Sequence, residues 1–436
     1  MPSIFSSTEA NALNAIYRKI DRRVLSFLIC CYCFSALDRA NISFAKLQMH
    51  TSFGLTDTAF GFAAGIFFVG YALCEIPSNL ILPRVGARKT ISRILVLWGL
   101  TSAAMMFVHS NTTFYILRLF LGAFEAGLAP GALFLLTYWY PKARMARSVA
   151  LFLCAGPIAN MVGGPLSGWL LTRWDGVLGL EGWQWMFVVE GLPCVLLGII
   201  AWLTMTDRPA TATWLTETEK ALLARDLDTP ASHHKSFFHV IADWQINRLA
   251  LAYFCIVCGM YTISFWLPTI LKAVPGISLM SIGMYSSIPY VISLIVMTAL
   301  GRRSDRKMER RWHSAIPAFL AAIALGIAAL SIGKLGLSLI SITIAEALMY
   351  ASYAVFWSMP SEYIKGASAS GGIAYVNTVG LIGGLVSPNI IGMLKASTGS
   401  LLSGLFVMCG LLVVASLLLA LGRPLLAAAP KIALEP

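Results

Sequence analysis

Charge is scarce in this 436-residue chain: aspartate, glutamate, lysine and arginine together make up 12% of it, against about a quarter in soluble domains. With 58% hydrophobic residues and a mean hydropathy of +0.76, most of the surface must face lipid, not water. Histidine is sparse too. His50, His109, His233, His234, His239 and His313 all fall in or near loops, so no membrane-embedded metal cluster is expected. No Gly-x-Gly-x-x-Gly run and no defensible Ser/His/Asp order is present, which leaves an enzyme unsupported and calls for no cofactor. The nine cysteines are scattered through apolar runs. Cys255 and Cys258 form a C-x-x-C without a second pair or a His cluster, so they read as packing side chains and not as a zinc site. A cleavable signal is also missing. The opening residues, with "YRKIDRRV", are polar and basic, and the apolar run behind them is too long for a signal core.

Long apolar runs are what the chain has instead. Stretches of about 20 residues, each able to cross about 30 Å of hydrocarbon, fall near 24–45, 58–81, 89–109, 113–139, 147–171 and 183–205. A second set falls near 249–271, 278–300, 313–332, 336–359, 366–392 and 400–422. Closed barrels would read as short alternating segments, so the expectation is an all-α polytopic membrane protein with twelve transmembrane helices. Residues 1–23 form an N-terminal tail, 24–205 the first half, 206–247 a polar linker, 248–422 the second half and 423–436 a C-terminal tail. Within the linker, Thr216 precedes Glu219 by three residues in "LTETEKALLARDL", a capping box that predicts a short surface helix.

The basic residues set the orientation. Only Lys46, Arg173, Lys272, Lys334 and Lys395 fall in odd-numbered loops, and Arg39 and Arg118 lie within spans. The rest of the 32 lysines and arginines fall in the termini and even loops, which places both termini in the cytoplasm. This asymmetry also accounts for the net charge of +12 without nucleic acid as a partner.

The halves read as copies of one unit. "EAGLAPGALFLLTYWYP" from Glu125 resembles "EALMYASYAVFWSMP" from Glu346, and "GGPLSGWLL" from Gly163 resembles "GGLVSPNIIGML" from Gly383. "PRVGARK" from Pro83 stands opposite "DRKMERR" from Asp305. The offsets are 221, 220 and 222 residues, which predicts two pseudo-symmetric six-helix halves.

Asp38, Arg39, Glu75, Arg118, Glu125, Glu190 and Glu346 lie inside spans. Facing lipid, the four charges of the first and fourth helices would cost roughly 10–14 kcal/mol, so they must face an interior. Arg118 and Glu125 are two helical turns apart on one face. Asp38 and Arg39 are adjacent, point about 100° apart and cannot serve one partner equally; one is expected to face a cavity and the other a neighbouring helix. A carboxyl between an apolar surround, which opposes its charge, and an arginine, which favours it, can take and release a proton as its neighbours move. The competing reading is a buried ion network that only fixes packing, and it weighs more for Glu75, Glu190 and Glu346. In the second half aromatic and amide groups stand in for charge: "YTISFWLP", Trp357 in "VFWSMP" and Asn377 in "YVNTVG". Interfacial anchoring explains such aromatics equally well, and Asn377 could equally bond a neighbouring helix. Gly- and Pro-rich "GPIANMVGGPLSG" and "GLIGGLVSP" suit helices that approach closely and rock.

With "GRRSDRKMERR" between the eighth and ninth helices, the duplicated chain resembles the major facilitator superfamily. "LDRANIS", "GYALCEIPSNLIL", "RVGARK", "RLFLGAFEAGLAPG", "GWQWMFVVEGLP" and "FWLPTILK" resemble the anion:cation symporter family, carriers of tartrate, hexonates, hexuronates, phthalate and hydroxyphenylacetate. The resemblance implies a proton-coupled secondary transporter importing a small organic anion by alternating access across the inner membrane, as a monomer. It implies that Arg39 binds the substrate carboxylate, that Asp38 and Glu125 are protonated, and that Arg118 links them. Tyr71, Trp357 and Asn377 match substrate contacts. One departure is Pro83, where the first loop motif usually has an acid; the second copy keeps Asp305. The alternatives are an anion exchanger, a drug exporter or a non-transporting nutrient sensor; the sensor would be expected to carry a longer signalling tail.

Overall fold

The computed structural model describes residues 7–227, 243–363 and 369–421. The 423–436 tail and the middle of the linker, with His233, His234 and His239, lie outside them. Among the described residues the chain is helical, without strands. Helix α1 (Ser7–Ile20) runs through a π-helical turn (Asp21–Leu25) into α2 (Ser26–Phe53). The first half continues with α3 (Asp57–Val85), α4 (Ala87–Ala104), α5 (Asn111–Glu125), α6 (Leu128–Trp139), α7 (Lys142–Leu153), α8 (Ala155–Arg173) and α9 (Gly182–Thr204). After α10 (Glu217–Leu227) come α11 (Trp244–Lys272), α12 (Leu279–Lys307), α13 (Arg311–Leu330), α14 (Leu335–Phe356), α15 (Ser358–Tyr363), α16 (Ala369–Thr398) and α17 (Leu402–Ala420).

Among the described residues eleven stretches are long and apolar enough to cross a membrane, with α5 and α6 sharing one and α7 and α8 sharing another. Helix α2 is the twelfth long helix, at 28 residues. It carries the polar residues Asp38, Arg39, Asn41 and Lys46 and packs between α8, α9 and α11. Leu73, Leu80, Leu203 and Leu330 point outward and exposed, as a lipid-facing surface requires.

Local signals explain the ends. Helix α2 stops at Gly54, whose left-handed φ of 73° favours glycine. Helix α3 starts where the Thr56 hydroxyl accepts a bond from the Ala59 N–H at 3.2 Å. The capping box read in the linker is present: the Thr216 N–H donates to Glu219 Oε2 at 3.0 Å, and the Glu219 N–H donates to the Thr216 hydroxyl at 3.2 Å. Helix α10 in turn holds α1, through Tyr17 donating to Asp226 at 2.6 Å and Lys19 pairing with Glu219 at 2.5 Å. The hydrogen bond from Lys19 keeps the Glu219 carboxyl below the ordinary range.

The halves meet at the odd-loop ends of their spans, where glycines let backbones touch. A Cβ on Gly61 or Gly392 would strike α16 or α3 respectively, and one on Gly164 or Gly283 would strike α12 or α8. Asp57 bridges the two halves there. Its carboxylate pairs with Lys46 at 2.6 Å and with Lys395 at 2.9 Å. The Lys46 ammonium lies 3.8 Å from the centre of the Trp266 ring. Lys46, read from sequence as a loop residue, lies inside α2 and is 4% exposed.

Candidate functional site

The fourth span is broken in its middle. Helix α5 ends at Glu125, the chain turns through Gly127 at φ 94°, and α6 resumes at Leu128. A side chain at Gly127 would also meet Ser78. The break leaves Glu125 on the last turn of a helix inside the membrane. Helices α3 and α5 cross in backbone contact because two facing positions are glycine: a Cβ on Gly70 would strike the Leu119 carbonyl, and one on Gly122 would strike that of Phe67. This approach brings Phe67 and Tyr71 over the charged residues and lets Arg118 Nε donate to the Ala63 carbonyl at 3.2 Å.

Four of the charges expected to act together are gathered here, with a division of contacts that the sequence did not foretell. Arg39 reaches Glu125 directly: its Nη2 lies 2.6 Å and its Nε 2.8 Å from Oε1. Ser35 donates to the same oxygen at 2.5 Å. Oε2 of Glu125 is buried and takes no bond. Arg118 is fully buried, with its guanidinium carbon 4.8 Å from the Phe67 ring centre and both terminal nitrogens unbonded. Among the described residues it forms no ion pair within 4 Å. The resemblance gave Arg118 the linking role, whereas the direct ion pair to Glu125 comes from Arg39.

Asp38 points the other way, as adjacent helical positions require. It accepts from Trp98 Nε1 at 2.9 Å, from the Ser102 hydroxyl and from Asn41 Nδ2 at 3.3 Å. The same amide nitrogen donates to Glu190 Oε2 at 2.9 Å. Asp38, Arg118 and Glu125 are at most 1% exposed, while the Arg39 side chain keeps 15%. Of these four charges, Arg39 is the most exposed.

The other expected contacts are spread more widely. Tyr71 is beside Arg39, with 5.2 Å between guanidinium carbon and ring centre. Phe67 lies at 5.6 Å on the same guanidinium. Trp357 packs 4.9 Å from Tyr253, in a hydrophobic cluster separate from the one that holds Tyr71. Asn377 is half-buried on α16. Glu75 is 9% exposed on α3, and Glu346 is buried in the middle of α14 with Oε2 unbonded. Sequence reasoning missed Ser35, Trp98, Ser102 and Asn41. The only signal for Asn41 was its i+3 spacing from Asp38, which puts both on one face. Among the described residues no group of His, Cys, Asp and Glu could hold a metal, and both Cys255 and Cys258 are free.

A sequence profile of the Major Facilitator Superfamily matches residues 28–388. The chain belongs to that superfamily. The transporter is 40% identical over 407 residues to a "Putative tartrate transporter" of Agrobacterium vitis, covering 92% of this chain and 90% of that one. It is 38% identical to a quinolone resistance transporter of Acinetobacter baumannii, over 90% and 91% of the two chains. The fold matches the crystal structure of a D-xylose-proton symporter with a TM-score of 0.75 at 17% identity, over 91% of this chain and 96% of that one. The superfamily and the tartrate relative make this chain a multi-pass membrane transporter of the major facilitator fold, and not an enzyme.

Proposed function

We propose that the transporter imports a small organic anion together with protons, and that Arg39 is the point at which the two are coupled. The observation that carries this reading is the asymmetry of Glu125, with Arg39 and Ser35 on one oxygen and nothing on the other. A proton added to that carboxyl removes the charge that holds Arg39. The guanidinium, the exposed member of the group, is then free to take a substrate carboxylate through paired N–H donors. Loss of the proton returns Arg39 to Glu125 and expels the anion. Substrate and proton thus bind in one conformational state and leave together, which is what coupling requires. Tyr71 and Phe67 flank the guanidinium, and Trp357 and Asn377 would contact the remainder of the substrate from the second half.

The distribution of basic residues puts the odd loops outside and both termini in the cytoplasm of an inner membrane. On that orientation the Lys46–Asp57–Lys395 bridge closes the path to the exterior, and movement of the halves about this contact exchanges access. The tartrate relative supports a carboxylate as substrate. A second reading, drug export, is favoured by the quinolone resistance relative. Counterflow in proteoliposomes separates them: vesicles preloaded with tartrate, a hexonate, a hexuronate or an aromatic acid should accelerate entry of the same labelled acid. Counterflow of a quinolone without any of these acids would support the second reading instead.

A further inference from the structure

The mechanism above leaves one buried acid without a task although it is bonded into the site. Glu190 is 1% exposed, on α9 at one of its close approaches to α4. Next to it, a Cβ on Gly191 would meet the Ala103 nitrogen and the Gly99 carbonyl. Among the described residues no cation lies within 4 Å of either Glu190 or Asp38. Both carboxyls instead draw on one group, the Asn41 amide nitrogen, at 2.9 Å and 3.3 Å.

Two buried atoms at this junction have no partner: Glu190 Oε1 and Asn41 Oδ1. A single proton on Glu190 would supply both. A carboxylic acid and a primary amide form a two-bond ring, the amide N–H donating to one carboxyl oxygen and the acid O–H donating to the amide oxygen. The first of these bonds is present between Asn41 Nδ2 and Glu190 Oε2, and the unmatched pair is the complement of the second. An ionised Glu190 would leave a buried charge without a counter-ion, which is costly.

We propose that Glu190 is a positioning residue for proton coupling, a protonated acid that holds the Asn41 amide against Asp38 and so sets the proton affinity of Asp38. This rests on the proton-coupled reading given above. Two carboxyls sharing one amide in a dry site resist simultaneous ionisation, so they titrate as a pair. The other titratable groups around the pair are few. Arg118 and Glu125 stand on α5, Cys31 on α2, and Cys194 on the same helix as Glu190, donating its thiol to the Glu190 carbonyl at 3.3 Å. Helix α4 contributes Trp98 and Ser102 to Asp38, neither of which ionises near neutral pH.

The test is the pH profile of gradient-driven uptake in proteoliposomes for the wild type, Glu190→Gln and Glu190→Leu. Glutamine copies the protonated acid and makes the same two-bond ring with Asn41, so its profile should superimpose on wild type. Leucine releases the Asn41 amide, whose N–H favours the ionised form of Asp38, so Asp38 should hold its proton more tightly. The alkaline limb of the Glu190→Leu profile should move about one pH unit higher, on the order of a tenfold change in proton affinity. Counterflow at saturating substrate should stay within about twofold of wild type for both variants. A Glu190→Leu profile that superimposes on wild type, or a Glu190→Gln profile displaced as far as that of Glu190→Leu, overturns the proposal, whereas wild-type uptake indifferent to the pH gradient overturns the proton-coupled reading itself. Should Glu190→Leu fail to insert, pH-jump infrared spectra of the wild type and of Asp38→Asn decide. Coupling requires the midpoint of a protonated-carboxyl band to move when Asp38 is neutralised, and unmoved midpoints refute it.

Discussion

The Arg39 guanidinium and the Glu125 carboxylate, 86 residues apart in sequence, form an ion pair at 2.6 Å inside a span broken at that very carboxylate. Two donors of Arg39 converge on one oxygen, so the bond depends on the planar fork and not on charge alone.

Arg39→Lys should therefore weaken anion binding at least tenfold, about 1.4 kcal/mol, while leaving the protein folded. A lysine ammonium keeps the charge but cannot present two parallel N–H groups to a carboxylate. Isothermal titration of tartrate or the best counterflow substrate in detergent measures it. Affinity within twofold of wild type would remove Arg39 as the carboxylate anchor.

The bridge between the halves offers a separate test. Asp57→Asn leaves Lys46 and Lys395 without their shared counter-charge; with Asp57 and Lys395 partly exposed, the cost falls below the about 3–5 kcal/mol of breaking a fully buried pair. That cost falls on the conformation in which the odd-loop ends touch, so the population should shift toward the one in which they part. Hydrogen exchange of the Asp57–Phe68 backbone should accelerate at least tenfold, while Ala87–Ala104, packed within the first half, should hardly change. Equal exchange in both segments would mean that Asp57 does not secure the contact.

Gly122→Ala should destabilise the protein without touching any charge. The added methyl would strike the Phe67 carbonyl, a rigid backbone atom that cannot rotate away, and overpacking of this kind costs about 1–3 kcal/mol. A thermal midpoint in detergent several degrees below wild type is expected. The same substitution at Gly410, where a Cβ meets nothing within 4 Å, is the control. Equal midpoints for the two would contradict the close α3–α5 crossing.

The helical architecture was legible in the sequence because lipid leaves few options: apolar length, basic-residue asymmetry and the repeat offset each constrain it independently. The same reasoning located Asp38, Arg39, Arg118 and Glu125, since charges in apolar runs are conspicuous. It could not pair them. A partner depends on how closely two helices approach, and that is fixed by facing glycines such as Gly70 and Gly122, whose contacts lie in another part of the chain. Asn41 was hidden for a related reason: an uncharged amide is unremarkable until two acids are seen to share it. The apolar run alone places Lys46 in a loop, whereas α2 extends past that run to Phe53, with the lysine's charge sheltered against Asp57 and Trp266.

Coupling is the central claim, and gradient-driven accumulation in proteoliposomes, measured beside counterflow for the wild type, Asp38→Asn and Glu125→Gln, tests it most directly. The amides imitate the protonated carboxyls and cannot titrate. The wild type should concentrate substrate against its gradient when the outside is acidic, and lose this when a protonophore is added. Both variants should fail to concentrate substrate, while at least one still exchanges internal for external substrate, because exchange needs no net proton release. Accumulation at wild-type levels by both variants would contradict the account and leave Asp38 and Glu125 as parts of a packing network.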